Sequence, residues 1–96
     1  MDTSYHGISF RTSIKSLNTK FENALLYLDL EEENEKVQAE YEFKFKNKAG
    51  KQIVAYLYLW KEYSKISESR FYDWHIGSVN LSESNDLYNY LLEHIR

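Results

Sequence analysis

The sequence has no cysteine and no proline, and its three glycines stand far apart, at positions 7, 50 and 77. The lack of cysteine excludes a disulfide framework, a thiolate metal site and a cysteine nucleophile, so stability has to come from packing. The scattered glycines exclude a phosphate-binding Gly-rich loop. No Pro/Gly/Ser-rich linker divides the chain. We therefore predict one compact domain over residues 1–96.

Long apolar runs and a strong net charge are also missing. The longest apolar run, 53–60, is far shorter than the ~20 residues that a membrane-spanning helix needs. The first residues lack the basic start and apolar run of a signal peptide. A net charge of −3 gives no general attraction to nucleic acid. We expect a cytoplasmic protein without membrane contacts.

What the chain does contain is ample apolar and aromatic material. The hydrophobic share is 43% and the aromatic share 17%, which argues for a packed interior and against disorder. Segment 37–46 alternates without a break and predicts a half-buried strand. The residues on its apolar face are Val37, Ala39, Tyr41, Phe43 and Phe45. The polar segment 47–50, which ends in a glycine, predicts a hairpin into the next strand.

The following segment, 52–63, is apolar on both faces, which is typical of a central strand. One of its faces is aliphatic, and the other carries the aromatic residues Tyr56, Tyr58 and Trp60. A third strand over about 70–79 places Phe71, Asp73 and His75 on one face. These segments predict a three-stranded antiparallel meander.

Helices are predicted on both sides of this meander. The C-terminal helix has Ser82 or Ser84 as its N-cap and an apolar stripe further along. In the N-terminal third, apolar residues at spacings of three and four favour a helix over most of 11–33. The alternative makes 24–31 an extra strand, with a hairpin at 32–36. The predicted fold is thus α+β, with an N-terminal helix, three strands and a C-terminal helix.

The first candidate binding feature is an acidic cluster opposed only by Lys36. Its members are Asp29, Glu31, Glu32, Glu33, Glu35, Glu40 and Glu42. On the helical interpretation several of these carboxylates crowd a helix C-terminus, where the backbone dipole is already negative. Such a local conflict is sometimes retained for a basic partner. The alternative is an ordinary solvated, charged surface.

The second candidate is the aromatic face of the sheet. Two helices are too few to cover both sides of a three-stranded sheet, so Tyr56, Tyr58 and Trp60, with Phe71 and His75, are expected to lack full cover. Tyrosine and tryptophan clusters of this kind are typical of binding sites. The alternative is that the N-terminal segment buries them as core.

Other functional features are weaker. Lys44, Lys46, Lys48 and Lys51 surround the predicted hairpin, where they are able to contact nucleic acid or simply to keep a sheet edge soluble. Asp73 and His75 share a strand face, but no nucleophile accompanies them. The histidines at 6, 75 and 94 have no metal-ligand spacing. We predict no catalytic, metal-binding or cofactor-binding residues and no cofactor.

The predicted order of helix, three strands and helix resembles that of double-stranded RNA-binding domains. Those domains place a lysine cluster at the start of the last helix, whereas segment 82–86 is acidic here. In size, acidity and element order, the chain is also similar to small acidic phage inhibitors of bacterial defence nucleases, including some anti-CRISPR proteins. That similarity implies a protein partner.

These features predict a small non-enzymatic protein-binding module, encoded by a phage or a bacterium, that acts as an anti-defence or immunity-type inhibitor. It would bind a basic protein surface through the acidic cluster, the aromatic sheet face, or both. One alternative is a nucleic-acid-binding module that uses the hairpin 44–51 and the aromatic strands. Another is a structural protein that forms homodimers or larger homo-oligomers.

Overall fold

The computed structural model describes residues 3–28, 37–60 and 66–95, with the backbone alone at 37 and 38. The elements in chain order are β1 (Ser4–Ser13), α1 (Ile14–Lys20), a 3-10 turn (Glu22–Ala24), β2 (Leu25–Leu28), β3 (Val37–Lys46), β4 (Gln52–Trp60), β5 (Phe71–Ser78) and α2 (Leu81–Ile95). The strands form one five-stranded antiparallel sheet in the order β1-β5-β4-β3-β2. The α+β class is therefore confirmed, but the sheet is wider than predicted.

The predicted N-terminal helix over most of 11–33 is inexact, because the described helix in this range covers only Ile14–Lys20. The chain is extended through Ser13, and β1 pairs with β5 along one side of the sheet. The helix α1 is only seven residues long and starts where the Ser13 hydroxyl accepts a hydrogen bond from the Ser16 amide at 3.1 Å. The alternative of an extra strand within 24–31 is closer, because β2 pairs with β3. Its predicted hairpin at 32–36 lies outside the described residues.

The apolar residues of the N-terminal segment fit both the two-residue period of a strand and the 3.6-residue period of a helix. Phe10 and Thr12 are buried while Arg11 is exposed, which is the period of a strand. Ile14 and Leu17 are fully buried and supply the helical spacing of α1. The pairing of β1 with β5 determines where the strand ends and the helix begins. This pairing cannot be read from the local sequence, because β5 is distant in the chain.

The β3–β4 hairpin follows the prediction closely. Gly50 has a φ of +83°, the left-handed conformation that glycine adopts without strain. Val37 pairs with Trp60 and Glu40 pairs with Tyr58, so β3 holds one residue more than β4 over this stretch. Such a bulge interrupts the alternation that the sequence shows at the start of β3. The predicted extension of β4 over 61–63 lies outside the described residues.

The core lies between one face of the sheet and the two helices. Tyr41, Phe43 and Phe45 are buried on this face, as predicted, and α2 contributes Leu87 and Leu91. The side chain of Val37 lies outside the described part of the structure. The aliphatic residues of β4 are buried on the same side, so the predicted division of β4 into an aliphatic core face and an aromatic face is correct.

The start of α2 corrects the predicted N-cap. The helix begins at Leu81, and the Asn80 side chain accepts a hydrogen bond from the Glu83 amide at 2.9 Å. Ser84 is instead fully buried, with its hydroxyl 2.6 Å from that of Ser78. Neither Ser82 nor Ser84 is the cap. With β1 and β2 added, the element order also departs from that of double-stranded RNA-binding domains.

Candidate functional site, an open aromatic sheet face

We call the side of the sheet away from α1 and α2 the open face. Register brings one residue from each strand into a row across it. In order from β2 to β1, the row is Tyr27, Glu40, Tyr58, His75 and Ser9. The predicted aromatic residues Tyr56, Tyr58, Trp60, Phe71 and His75 all lie on this face by strand parity. The structure adds Tyr5 and Tyr27, which the sequence interpretation did not include.

Much of the open face is accessible to solvent. The exposed fractions are 41% for Trp60, 42% for Tyr5, 42% for Tyr27 and 53% for Phe71. Tyr56, Tyr58 and His75 are half-buried among these neighbours. In the ranges that the structure describes, both helices pack on the opposite side, and none covers this one. The aromatic residues of this face are therefore only partly covered, as expected from the sequence.

His75 lies on β5, between Tyr5 and Tyr58 of the open face. The Tyr5 ring stacks on it with the centroids 4.0 Å apart and the planes 13° apart. The Tyr58 ring meets it edge-on at 5.4 Å. Burial among these rings lowers the pKa of His75, because the charged form loses water.

Tyr5 reaches His75 because β1 is irregular. Tyr5 pairs with Gly77 and Ser9 with His75, so β1 holds two residues more than β5 over this stretch. Gly7, with a φ of +89°, lies within this bulge. The Tyr5 hydroxyl lies 3.1 Å from that of Ser9 and spans the bulge. The glycine within this strand was the one local signal of the bulge.

A shallow pocket of about 210 Å³ lies at the β3–β4 side of the face. It is lined by Thr3, Glu40, Tyr56, Tyr58, Trp60 and Gly77. A Cβ atom added to Gly77 would lie 3.2 Å from Cε1 of Tyr58. The missing side chain thus leaves the space that the Tyr58 ring occupies.

The two described carboxylates of the acidic cluster have different surroundings. Glu42 accepts a hydrogen bond from the Tyr56 hydroxyl at 2.8 Å, which is the main cause that raises the pKa of Tyr56. Lys44 lies 3.6 Å from the other Glu42 oxygen. Within the described ranges, Glu40 has no hydrogen bond or ion pair through its side chain. Burial, with a contribution from the Glu42 charge, raises the pKa of Glu40.

The rest of the acidic cluster is not placed by the structure. Asp29, Glu31, Glu32, Glu33 and Glu35 lie outside the described residues. Of the predicted binding residues, the structure therefore brings together the aromatic set with Glu40 and Glu42. In the described structure, the acidic cluster and the aromatic face therefore meet only through Glu40 and Glu42.

The lysines of the hairpin do not form a free basic tip. Lys48 pairs with Glu93 at 3.2 Å, and Lys51 pairs with Glu83 at the same distance. Asn47 also donates to Asp86 at 3.1 Å, so the hairpin is bound to α2. With Lys44 beside Glu42, Lys46 is the member of the predicted basic set without an ion pair in the described structure.

The other candidate residues of the sequence are Asp73 and the histidines. Asp73 pairs with Arg11 at 3.3 Å, so its described partner is not His75. Among the described residues, no group of three histidine or carboxylate side chains is close enough to hold a metal ion, and no helix is long and apolar enough to cross a bilayer. Comparisons with protein-family models, curated proteins and solved structures give no match.

Proposed function

We propose that this protein is a small, non-enzymatic module that binds another protein through the open face. The observation that carries the proposal is a partly exposed aromatic surface, in which ring contacts run from Tyr5 through His75 and Tyr58 to Trp60, on the side of the sheet away from the core. Tyrosine and tryptophan dominate the energetics of protein interfaces because they bury a large area at low entropic cost. Their concentration on the uncovered side favours recognition of a partner.

The shape of the surface supports a protein ligand over a small molecule. The pocket of about 210 Å³ is smaller than the ~300–1,000 Å³ typical of small-molecule sites. The row from Tyr27 to Ser9 crosses all five strands, and strands lie ~4.8 Å apart. This width of roughly 20 Å suits a flat protein surface.

The proposal includes an inhibitory role against a phage or bacterial protein and a cytoplasmic location. Both rest on the sequence, which has a net charge of −3 and whose longest apolar run is 53–60. Glu40 and Glu42 on the open face favour a partner with a basic surface, because complementary charges accelerate and orient encounter.

The test is affinity capture with a matched pair of variants. The double variant Tyr58→Ser/Trp60→Ser removes two rings from the open face, while Leu81→Ser changes a side chain that is 52% exposed on α2. A protein captured by the wild type and by Leu81→Ser should be lost with the double variant. With that partner purified, we expect Kd to rise at least about tenfold, as for interface anchors.

Two outcomes would contradict the proposal. Equal capture by the double variant and the wild type would show that the partner binds elsewhere. A wild-type dimer in sedimentation velocity that the double variant converts to a monomer would assign the face to self-association instead.

A further inference from the structure

The pocket of the open face is lined by aromatic rings and a carboxylate, both of which attract cations. The rings of Tyr58 and Trp60 are nearly perpendicular, at 85° with centroids 6.3 Å apart, and form a corner. Glu40 lies directly opposite Tyr58 in the β3–β4 pairing. Side chains paired in this way have Cβ atoms about 5 Å apart, so the carboxylate and the aromatic corner line one cavity.

The charge of this cavity is not neutralised within the described part of the chain. The nearest basic residue of β3, Lys44, pairs with Glu42, which also accepts the Tyr56 hydroxyl. Glu40 has neither kind of partner there. Burial of an unpaired carboxylate is unfavourable, and the raised pKa of Glu40 reflects this cost. A cation placed in the cavity would offset it.

We infer that this pocket receives a cationic side chain, an arginine or lysine, from the protein partner. The head group lies against the faces of Tyr58 and Trp60 and pairs with Glu40. Cations bind aromatic faces within about 6 Å of the ring centroid, and the carboxylate adds a charge-assisted hydrogen bond. The inference rests on the proposed function and specifies the chemistry at the centre of that interface.

The test uses a small cation and its neutral analogue as probes. N-acetyl-arginine amide and N-acetyl-citrulline amide have the same shape but differ in charge. Titration of each into the ¹⁵N-labelled protein, followed by NMR, should show saturable shifts with the arginine probe. These shifts should centre on Glu40, Tyr58 and the Trp60 indole, and the citrulline probe should give at least about tenfold weaker binding.

Substitutions separate the role of Glu40 from that of its neighbour. Glu40→Gln keeps the shape of the side chain and should weaken arginine binding about tenfold. Glu42→Gln is the matched control on the same face, and its effect should be under threefold because Glu42 is already occupied by Tyr56 and Lys44. A thermal melt of each variant checks that the fold is retained.

Three results would overturn the inference: equal binding of both probes, unchanged binding by Glu40→Gln, or shifts that map away from the pocket. These failures differ from failure of the proposed function. If Tyr58→Ser/Trp60→Ser abolishes partner capture while Glu40→Gln leaves the partner's Kd unchanged, the open face binds the partner without a cation in the pocket.

Discussion

The ring of Tyr58 lies over Gly77 of the neighbouring strand, and a Cβ atom at Gly77 would come within 3.2 Å of Tyr58 Cε1. Gly77 is not among the glycines with a positive φ, so its backbone would accept other residues. The close approach of the ring explains the glycine. Because glycine in a strand is less stable than alanine by about 0.5–1 kcal/mol, the position of Tyr58 is maintained at a cost to stability.

This relationship predicts opposite effects of one substitution in two backgrounds. We expect Gly77→Ala to destabilise the wild type, because the Tyr58 ring, held against His75, would have to move by a few tenths of an ångström. In a Tyr58→Ala background the same change should stabilise the fold by about 0.5–1 kcal/mol, since only the gain in strand propensity remains. Urea denaturation of the four proteins measures this coupling, and effects of equal sign and size would contradict it.

The two tryptophans should differ sharply in their effect on stability. Trp74 is fully buried, meets Tyr41 edge-on and donates its indole N–H to the Thr12 carbonyl at 3.0 Å. Trp74→Ala should lower the free energy of unfolding by about 3–5 kcal/mol. Trp60→Ala, at a partly exposed site, should cost about 1 kcal/mol. Denaturation followed by far-UV circular dichroism compares them, and similar midpoints would place Trp60 in the core.

The cap of α2 should be sensitive at one position. Asn80→Ala removes the acceptor for the Glu83 amide and should cost about 1 kcal/mol. Ser82→Ala is the control because Ser82 is exposed within the helix, and its effect should stay within about 0.5 kcal/mol. Thermal denaturation of both variants is the measurement. A larger loss for Ser82→Ala would restore the N-cap predicted from the sequence.

His75 should make stability depend on pH. Because burial lowers its pKa in the folded protein, the unfolded chain binds the proton more tightly. The stabilising contribution is present above the unfolded pKa of about 6.5 and is lost as the pH falls through the folded value. His75→Phe keeps a ring between Tyr5 and Tyr58 and should flatten the pH dependence between about pH 7.5 and pH 5.

The measurement for His75 is the difference in unfolding free energy between the wild type and His75→Phe at each pH. Histidines and carboxylates elsewhere are common to both proteins, so their titration cancels in the difference. A difference that does not change with pH would show that His75 keeps an ordinary pKa in the fold.

The sequence allowed the sheet faces to be predicted where strand alternation is regular. The aromatic residues of β4 and β5 lie together because parity alone assigns them to one side. The N-terminal strand was missed because its partner β5 is distant in the chain, and Phe10 and Ile14 fit helical spacing as well. Tyr5 joins the site only through the bulge around Gly7, and no local pattern indicates which neighbour such a bulge will reach.

The two outermost strands of the described sheet are both irregular, which disfavours pairing of another chain along either edge. β1 has its bulge between Tyr5 and Ser9, and the described part of β2 has a register shift between Leu25 and Tyr27. A regular edge invites another chain to extend the hydrogen-bond ladder, as in fibril growth, and interruptions of this kind discourage it. A partner bound as proposed would contact the broad side of the sheet and could dissociate without breaking backbone hydrogen bonds between strands.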